Sequence, residues 1–205
     1  MSRNKLHYTI RQLATPEEYS ACVQLQKETW GESFSESVPA SILLVGQKIG
    51  GVSAGAFDTQ GNMIGLVFSL AGIKDGKFVH WSDLLAVKQE YRDTGLGMQL
   101  KLFQREHCLK IGAEIIYWTY DPLEARNAHL NINKLGVNID EYITDMYVNA
   151  DSVLHRGLAM DRFVVAWHIE SRRATEALAM KRLYKKEDYE QVPVVNAEVN
   201  KSGEI

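Results

Sequence analysis

The stretch Leu84-Leu85-Ala86-Val87-Lys88-Gln89-Glu90-Tyr91-Arg92-Asp93-Thr94-Gly95-Leu96-Gly97-Met98 constrains the architecture more than any other part of the chain. An apolar strand runs into a short polar loop, and the loop enters a helix at Arg-x-x-Gly-x-Gly. Two glycines let successive backbone N–H groups turn toward one point, where the helix N-terminus adds partial positive charge. Each amide bond to a charged oxygen is worth ~1.5–3 kcal/mol, so a few of them hold a pyrophosphate without a lysine. Other phosphate motifs fit poorly. The third glycine of the dinucleotide fingerprint is missing, and no Gly-Lys-Ser/Thr follows, which excludes a nucleotide P-loop. A GxG pair alone also suits a tight strand-to-helix turn with no ligand.

The surrounding elements follow from local signals. Residues 7–13 read as a short strand, and Thr15-Pro16-Glu17-Glu18 is a capping box with proline at the first helical position, opening a helix to Trp30. Gly31 stands where a left-handed helix-ending residue belongs. A shorter helix follows Pro39. Strands at 52–57, 63–73 and 78–87 are separated by glycine-bearing turns, which makes them antiparallel neighbours. From Gly95 to Ile111 the period is helical, with Leu96, Leu100, Phe103 and Ile111 on one face. A buried strand at 114–120 precedes a second helix start, Asp121-Pro122-Leu123-Glu124, whose helix runs to Leu135-Gly136. Strands around 142–148 and 162–169 complete a layered α/β (α+β) domain.

Composition sets the class of partner. With 45% apolar and 24% charged residues, the 205-residue chain is globular. No apolar run approaches the ~18 residues of a membrane span, and the N-terminus lacks a secretory stretch, so a cytoplasmic protein is expected. Cys22 and Cys108 match no metal or redox spacing and read as reduced, buried thiols. No HExxH or Cys/His cluster is visible, and no metal is predicted. The net charge of −3 argues against nucleic acid, yet residues 187–205 carry −4 of it, leaving +1 on the rest.

On the loop Arg92-Asp93-Thr94-Gly95-Leu96-Gly97, the helix Asn127-Ala128 through Lys134-Leu135-Gly136, and the phrases Trp118-Thr119-Tyr120-Asp121-Pro122-Leu123 and Asp161-Arg162-Phe163-Val164-Val165, the chain from His7 to Glu170 resembles the GNAT acetyltransferases. It is closest to an uncharacterised branch of that family. The resemblance implies a central, mostly antiparallel mixed sheet of about seven strands, splayed between strands 4 and 5, with helices on both faces. It further implies an acetyl-CoA-dependent N-acetyltransferase domain over 1–170, followed by a C-terminal helix and a flexible acidic tail over 171–205. The acetyl group would pass directly to an amine of a small molecule or peptide. Two other readings stay open: a non-catalytic CoA-binding or regulatory module, and a transferase of another acyl group.

By the same resemblance, backbone groups of Leu85, Ala86 and Val87 would pair with the pantetheine arm, and Arg92, Asp93, Thr94, Gly95, Leu96, Gly97 and Met98 would cradle the pyrophosphate. Asn127 and Asn131 would border the cofactor's path, and Trp118 would lie near the thioester. Physical reasoning adds the base. Holding a lysine-like amine neutral at pH 7 costs roughly 4–5 kcal/mol, so a carboxylate or histidine should take its proton. Asp83 is the first candidate, read as sharing a face with Trp81, Leu85 and Val87, and His80 on the opposite face is the second. Arg156, or Arg162, would meet an acceptor carboxylate.

One position departs from the family. Many members carry a tyrosine four residues before the glycine that ends the fourth helix, to protonate the leaving thiolate; here that residue is Ile132. Either the thiolate leaves unassisted or another tyrosine, such as Tyr120 or Tyr142, serves. The segment 170–186 reads as a basic amphipathic helix that packs on the domain or on a twin subunit as a homodimer.

Overall fold

A computed structural model describes residues 7–32, 34–147 and 160–180. Strand β1 (Tyr8–Gln12) leads into α1 (Pro16–Trp30) and α2 (Ala40–Lys48). Strands β2 (Val52–Asp58), β3 (Met63–Lys74) and β4 (Lys77–Val87) form consecutive antiparallel pairs, as the turn residues predict. Helix α3 (Leu96–Lys110) crosses to β5 (Ile115–Tyr120). The chain continues through α4 (Ala125–Ala128), a π-helical segment (His129–Leu135), β6 (Asn138–Ile143), β7 (Arg162–His168) and α5 (Arg172–Leu178). The seven strands lie in the order β1-β2-β3-β4-β5-β7-β6, and only β4 and β5 run parallel.

Helices cover both faces. On one, α1 and α2 pack Tyr19, Leu25 and Leu43 against Phe57, Leu66, Phe68 and Leu84. On the other, Leu96 and Leu100 of α3 meet Ala54, Ile64 and Val67, while Cys108 joins Trp118, Leu135, Trp167 and Ala174. Both cysteines are buried, and burial pushes each thiol up to about 12. Among the described residues no helix is long and apolar enough to cross a membrane.

Several local expectations are corrected. Gly31 has φ 108° but ψ 154°, so it ends α1 outside the left-handed helical region. In α3 the buried stripe is Leu96, Leu100, Lys101, Gln104 and Cys108, whereas Ile111 is exposed. The sequence hides this face because two of its members are polar. At Asp121 the side chain accepts the Leu123 N–H at 2.8 Å and makes a turn; the helix begins only at Ala125. Helix α5 is short: Met180 lies beyond it at φ 52°. Its Ala174 and Ala177 are buried against the domain, and Arg173 Nε donates to Gly136 O at 3.1 Å.

Candidate functional site

Strands β4 and β5 pair only over Val79↔Ile115, His80↔Ile116 and Trp81↔Tyr117. Beyond that point β4 stays on β3 as far as Val87, and β5 stays on β7 as far as Tyr120. The strands therefore part into a fork, and each presents an edge of backbone N–H and C=O groups without a strand partner. Such an edge accepts an extended ligand as an added strand. Leu85 and Val87 are half-buried, and Ala86 is buried.

At the fork's mouth the chain makes a 3₁₀ turn, Gln89–Tyr91, and re-enters as α3. Asp93 (φ 61°) and Gly95 (φ 91°, ψ 0°) both take positive φ. Thr94 Oγ1 donates to Tyr91 O at 2.6 Å, and Arg92 Nε donates to Val87 O at 3.2 Å, which pins the loop to the end of β4. The helix has no side-chain cap. Its first backbone bond runs from Gln99 N–H to Gly95 O at 3.2 Å, so the N–H groups of Leu96, Gly97 and Met98 have no backbone acceptor among the described residues. A Cβ added at Gly97 would meet only Val87 Cγ2, at 3.9 Å, and one at Gly95 would meet nothing within 4 Å. Packing does not demand a glycine at 97. Bare backbone with free N–H groups fits a phosphate oxygen approaching from outside.

Asp83 stands at the other end of the fork. The register passes from Phe68↔Leu84 to Ser69↔Ser82, so Asp83 is the extra residue of a β-bulge. The bulge shifts the alternation of β4 and corrects the expected face. Leu85 and Val87 pack on the α3 side with Leu96 and Leu100, while Leu84 and Ala86 face α1 and α2. Asp83 is exposed, and the surrounding protein together with the like charge of Glu36, in the α1–α2 loop, pushes its carboxyl upward. His80 has no exposed surface; its Nδ1 lies 3.0 Å from Ser69 Oγ. Burial holds its ring down to about 4, hence neutral. Trp118 is buried edge-on against Trp167, 6.0 Å between centroids, beneath the sheet.

Solved structures share this fold. The ribosomal-protein-S18-alanine N-acetyltransferase from Escherichia coli superposes with a TM-score of 0.62 at 18% identity, covering 80% of this chain and 96% of that one. A GNAT-family acetyltransferase from Streptococcus pneumoniae gives 0.60 at 18% identity, over 78% and 98% of the two chains. Arabidopsis thaliana Naa50, solved with the bisubstrate analogue CoA-Ac-MVNAL, gives 0.61 at 17% identity, over 78% and 97%. The chain has the GNAT fold. No protein-family model and no curated protein matches the sequence.

Within this GNAT fold the segment after β5 is unusual in its winding. The four residues of α4 pass directly into seven residues of π-helix, which re-phases the side chains. Asn131 is thereby buried while Asn127 is exposed, so the two share no face. Arg126 reaches back to Asp93 of the loop at 3.6 Å, linking the two sides of the fork's mouth. Ile132 is half-buried. Of the tyrosines considered as substitutes, Tyr142 is exposed and donates to the Asp161 carboxylate. Tyr120 is buried, and its hydroxyl has no hydrogen-bond partner among the described residues. Arg162 is buried and donates to Asp161 O at 2.8 Å. Arg156 lies outside the described residues. A crease of about 330 Å³ between α1 and the β2–β3 turn is lined by Glu17, Glu18, Glu28 and Lys88, without Asp83.

Two features escaped sequence reasoning. Glu36 carries no motif, and only the folded chain sets its charge against Asp83. Lys101 reads as one more surface lysine on α3, yet it is 2% exposed.

Proposed function

We propose that the protein is an acetyl-CoA-dependent N-acetyltransferase that moves the acetyl group directly to an amine of a small molecule or peptide. The fork between β4 and β5, ending in an uncapped, glycine-bearing helix start, carries this reading. Phosphate oxygens would lie on the N–H groups of Leu96, Gly97 and Met98, flanked by Arg92, Asp93, Thr94 and Gly95. The pantetheine arm would follow the edge of Leu85, Ala86 and Val87. Asn127, exposed, would border the opposite side of that path, while Asn131 is buried behind it. Asp83 takes the amine's proton, directly or through water. A carboxylate raised by its surroundings retains the proton better, and with Glu36 it favours a cationic acceptor. A CoA-bound neighbour of this fold is consistent with the cofactor.

The replacement of the usual tyrosine by Ile132 favours a second reading, a CoA-binding module without transferase activity. Free-thiol release from acetyl-CoA across arrayed amines separates the two. At least one amine should raise the rate well above hydrolysis. Background rates with every amine would leave the module reading.

A further inference from the structure

The structure assigns a proton donor at the closed end of the fork: we propose that the Lys101 ammonium, bonded to Ser82 and stacked on Trp118, protonates the sulfur that leaves there. This rests on the transferase reading above. Ser82 and Trp118 are the first residues past the last paired ones of β4 and β5, so Lys101 sits at the vertex where the strands part. Its Nζ donates to Ser82 Oγ at 3.1 Å and to Gln104 Oε1 at 2.8 Å, and it lies 3.7 Å from the centre of the Trp118 ring.

The direction of the site places the reacting end at this vertex. Residues 82–87 of β4 span ~17 Å from the vertex to the mouth. A ligand whose phosphates rest on α3 at the mouth therefore carries its far end to Ser82 and Asp83. Asp83 is set against the charge of Glu36 in the α1–α2 loop, and Lys101 reaches Ser82 from α3. Base and acid thus flank one point.

The step balances. The amine nitrogen forms a bond to the acyl carbon, and the C–S electron pair departs onto sulfur. A cationic acceptor has first released one proton to solvent; the second proton lost by that nitrogen goes to Asp83, and one Lys101 proton goes to sulfur. Solvent then restores both groups.

A lysine held among neutral partners suits this role. Among the described residues, the titratable groups packed on this face of the sheet include His80 of β4, Arg105, His107 and Cys108 of α3, Tyr120 of β5, and Tyr8 and Tyr91 beside Leu96 and Leu100, and none of these is a carboxylate. Burial, only partly offset by Cys108, brings the Lys101 ammonium down to about 7, where it gives up a proton readily near neutrality.

The test is Lys101→Met in the full chain. Gln104 Nε2 already donates to Ser82 Oγ at 3.0 Å, so the variant leaves that pair bonded. With an amine that the wild type acetylates, kcat should fall about 10²-fold or more while KM for acetyl-CoA stays within about twofold. The decline in wild-type kcat as pH rises through about 7 should vanish in the variant. A second readout does not need turnover: the Lys101 side-chain NMR titration should move upward with CoA and stay in place with desulfo-CoA, which lacks the thiol. Unchanged kcat in Lys101→Met, a retained alkaline decline, or equal titrations with the two ligands each overturn the assignment alone. A wild type that binds no acetyl-CoA overturns the transferase reading, and the assignment falls with it.

Discussion

Asp83 owes its position to one extra residue in β4. Without the bulge, strict alternation would continue and the strand would aim a different set of side chains at α1 and α2. With it, a carboxylate stands at the surface above the vertex of the fork, opposed by Glu36. Asp83→Asn should lower kcat by about 10²-fold or more and leave acetyl-CoA affinity within about twofold. Equal losses in both would make Asp83 structural. As the proposed base, Asp83 works deprotonated, so the rate should fall as pH drops through its raised value. Glu36→Gln removes a like charge, eases ionisation of Asp83, and should move that acidic limb to lower pH. An unmoved limb would break the coupling between the two. Both Asp83 and its neighbours were legible as residues of interest, but the face was not, since a bulge leaves no mark on residue order.

Helix α3 and the π-helical segment divide the work of framing the fork's mouth, and their glycines separate stability from binding. Gly97 lies inside α3 with room for a methyl group, so Gly97→Ala should raise stability by about 0.5–1 kcal/mol in urea unfolding while weakening acetyl-CoA binding at least tenfold. Gly136 is the opposite case. At φ 71°, an added Cβ would stand 2.7 Å from Arg173 O and 2.9 Å from Ala177 Cβ, so Gly136→Ala should cost roughly 2–4 kcal/mol. Tighter binding by Gly97→Ala would remove the helix start from the site. The hairpins and helix caps were readable because glycine, proline and Asp/Asn act within a few residues. The winding after Asp121 was not: its cap-like signal closes an Asx turn, and the change from α to π spacing depends on packing against β7 and α5.

At the scale of the whole molecule, the fold resolves what the net charge left obscure. The local excess of positive charge between Lys88 and Lys110 includes Lys101, which is buried at the vertex rather than displayed at the mouth. In the proposed function, attraction for a polyanion therefore falls to backbone N–H groups at the start of α3, with Arg92 beside them. The layered class, seven strands and the splay were legible from element order and the resemblance carried by the glycine loop. Asn127 and Asn131 were legible only as a stripe, which the π-helical winding then divided. Isothermal titration of the wild-type chain with acetyl-CoA tests the central claim most directly. Saturable one-site binding, weakened at least tenfold by Gly97→Ala, is the expected result. No heat of binding at millimolar acetyl-CoA would contradict it.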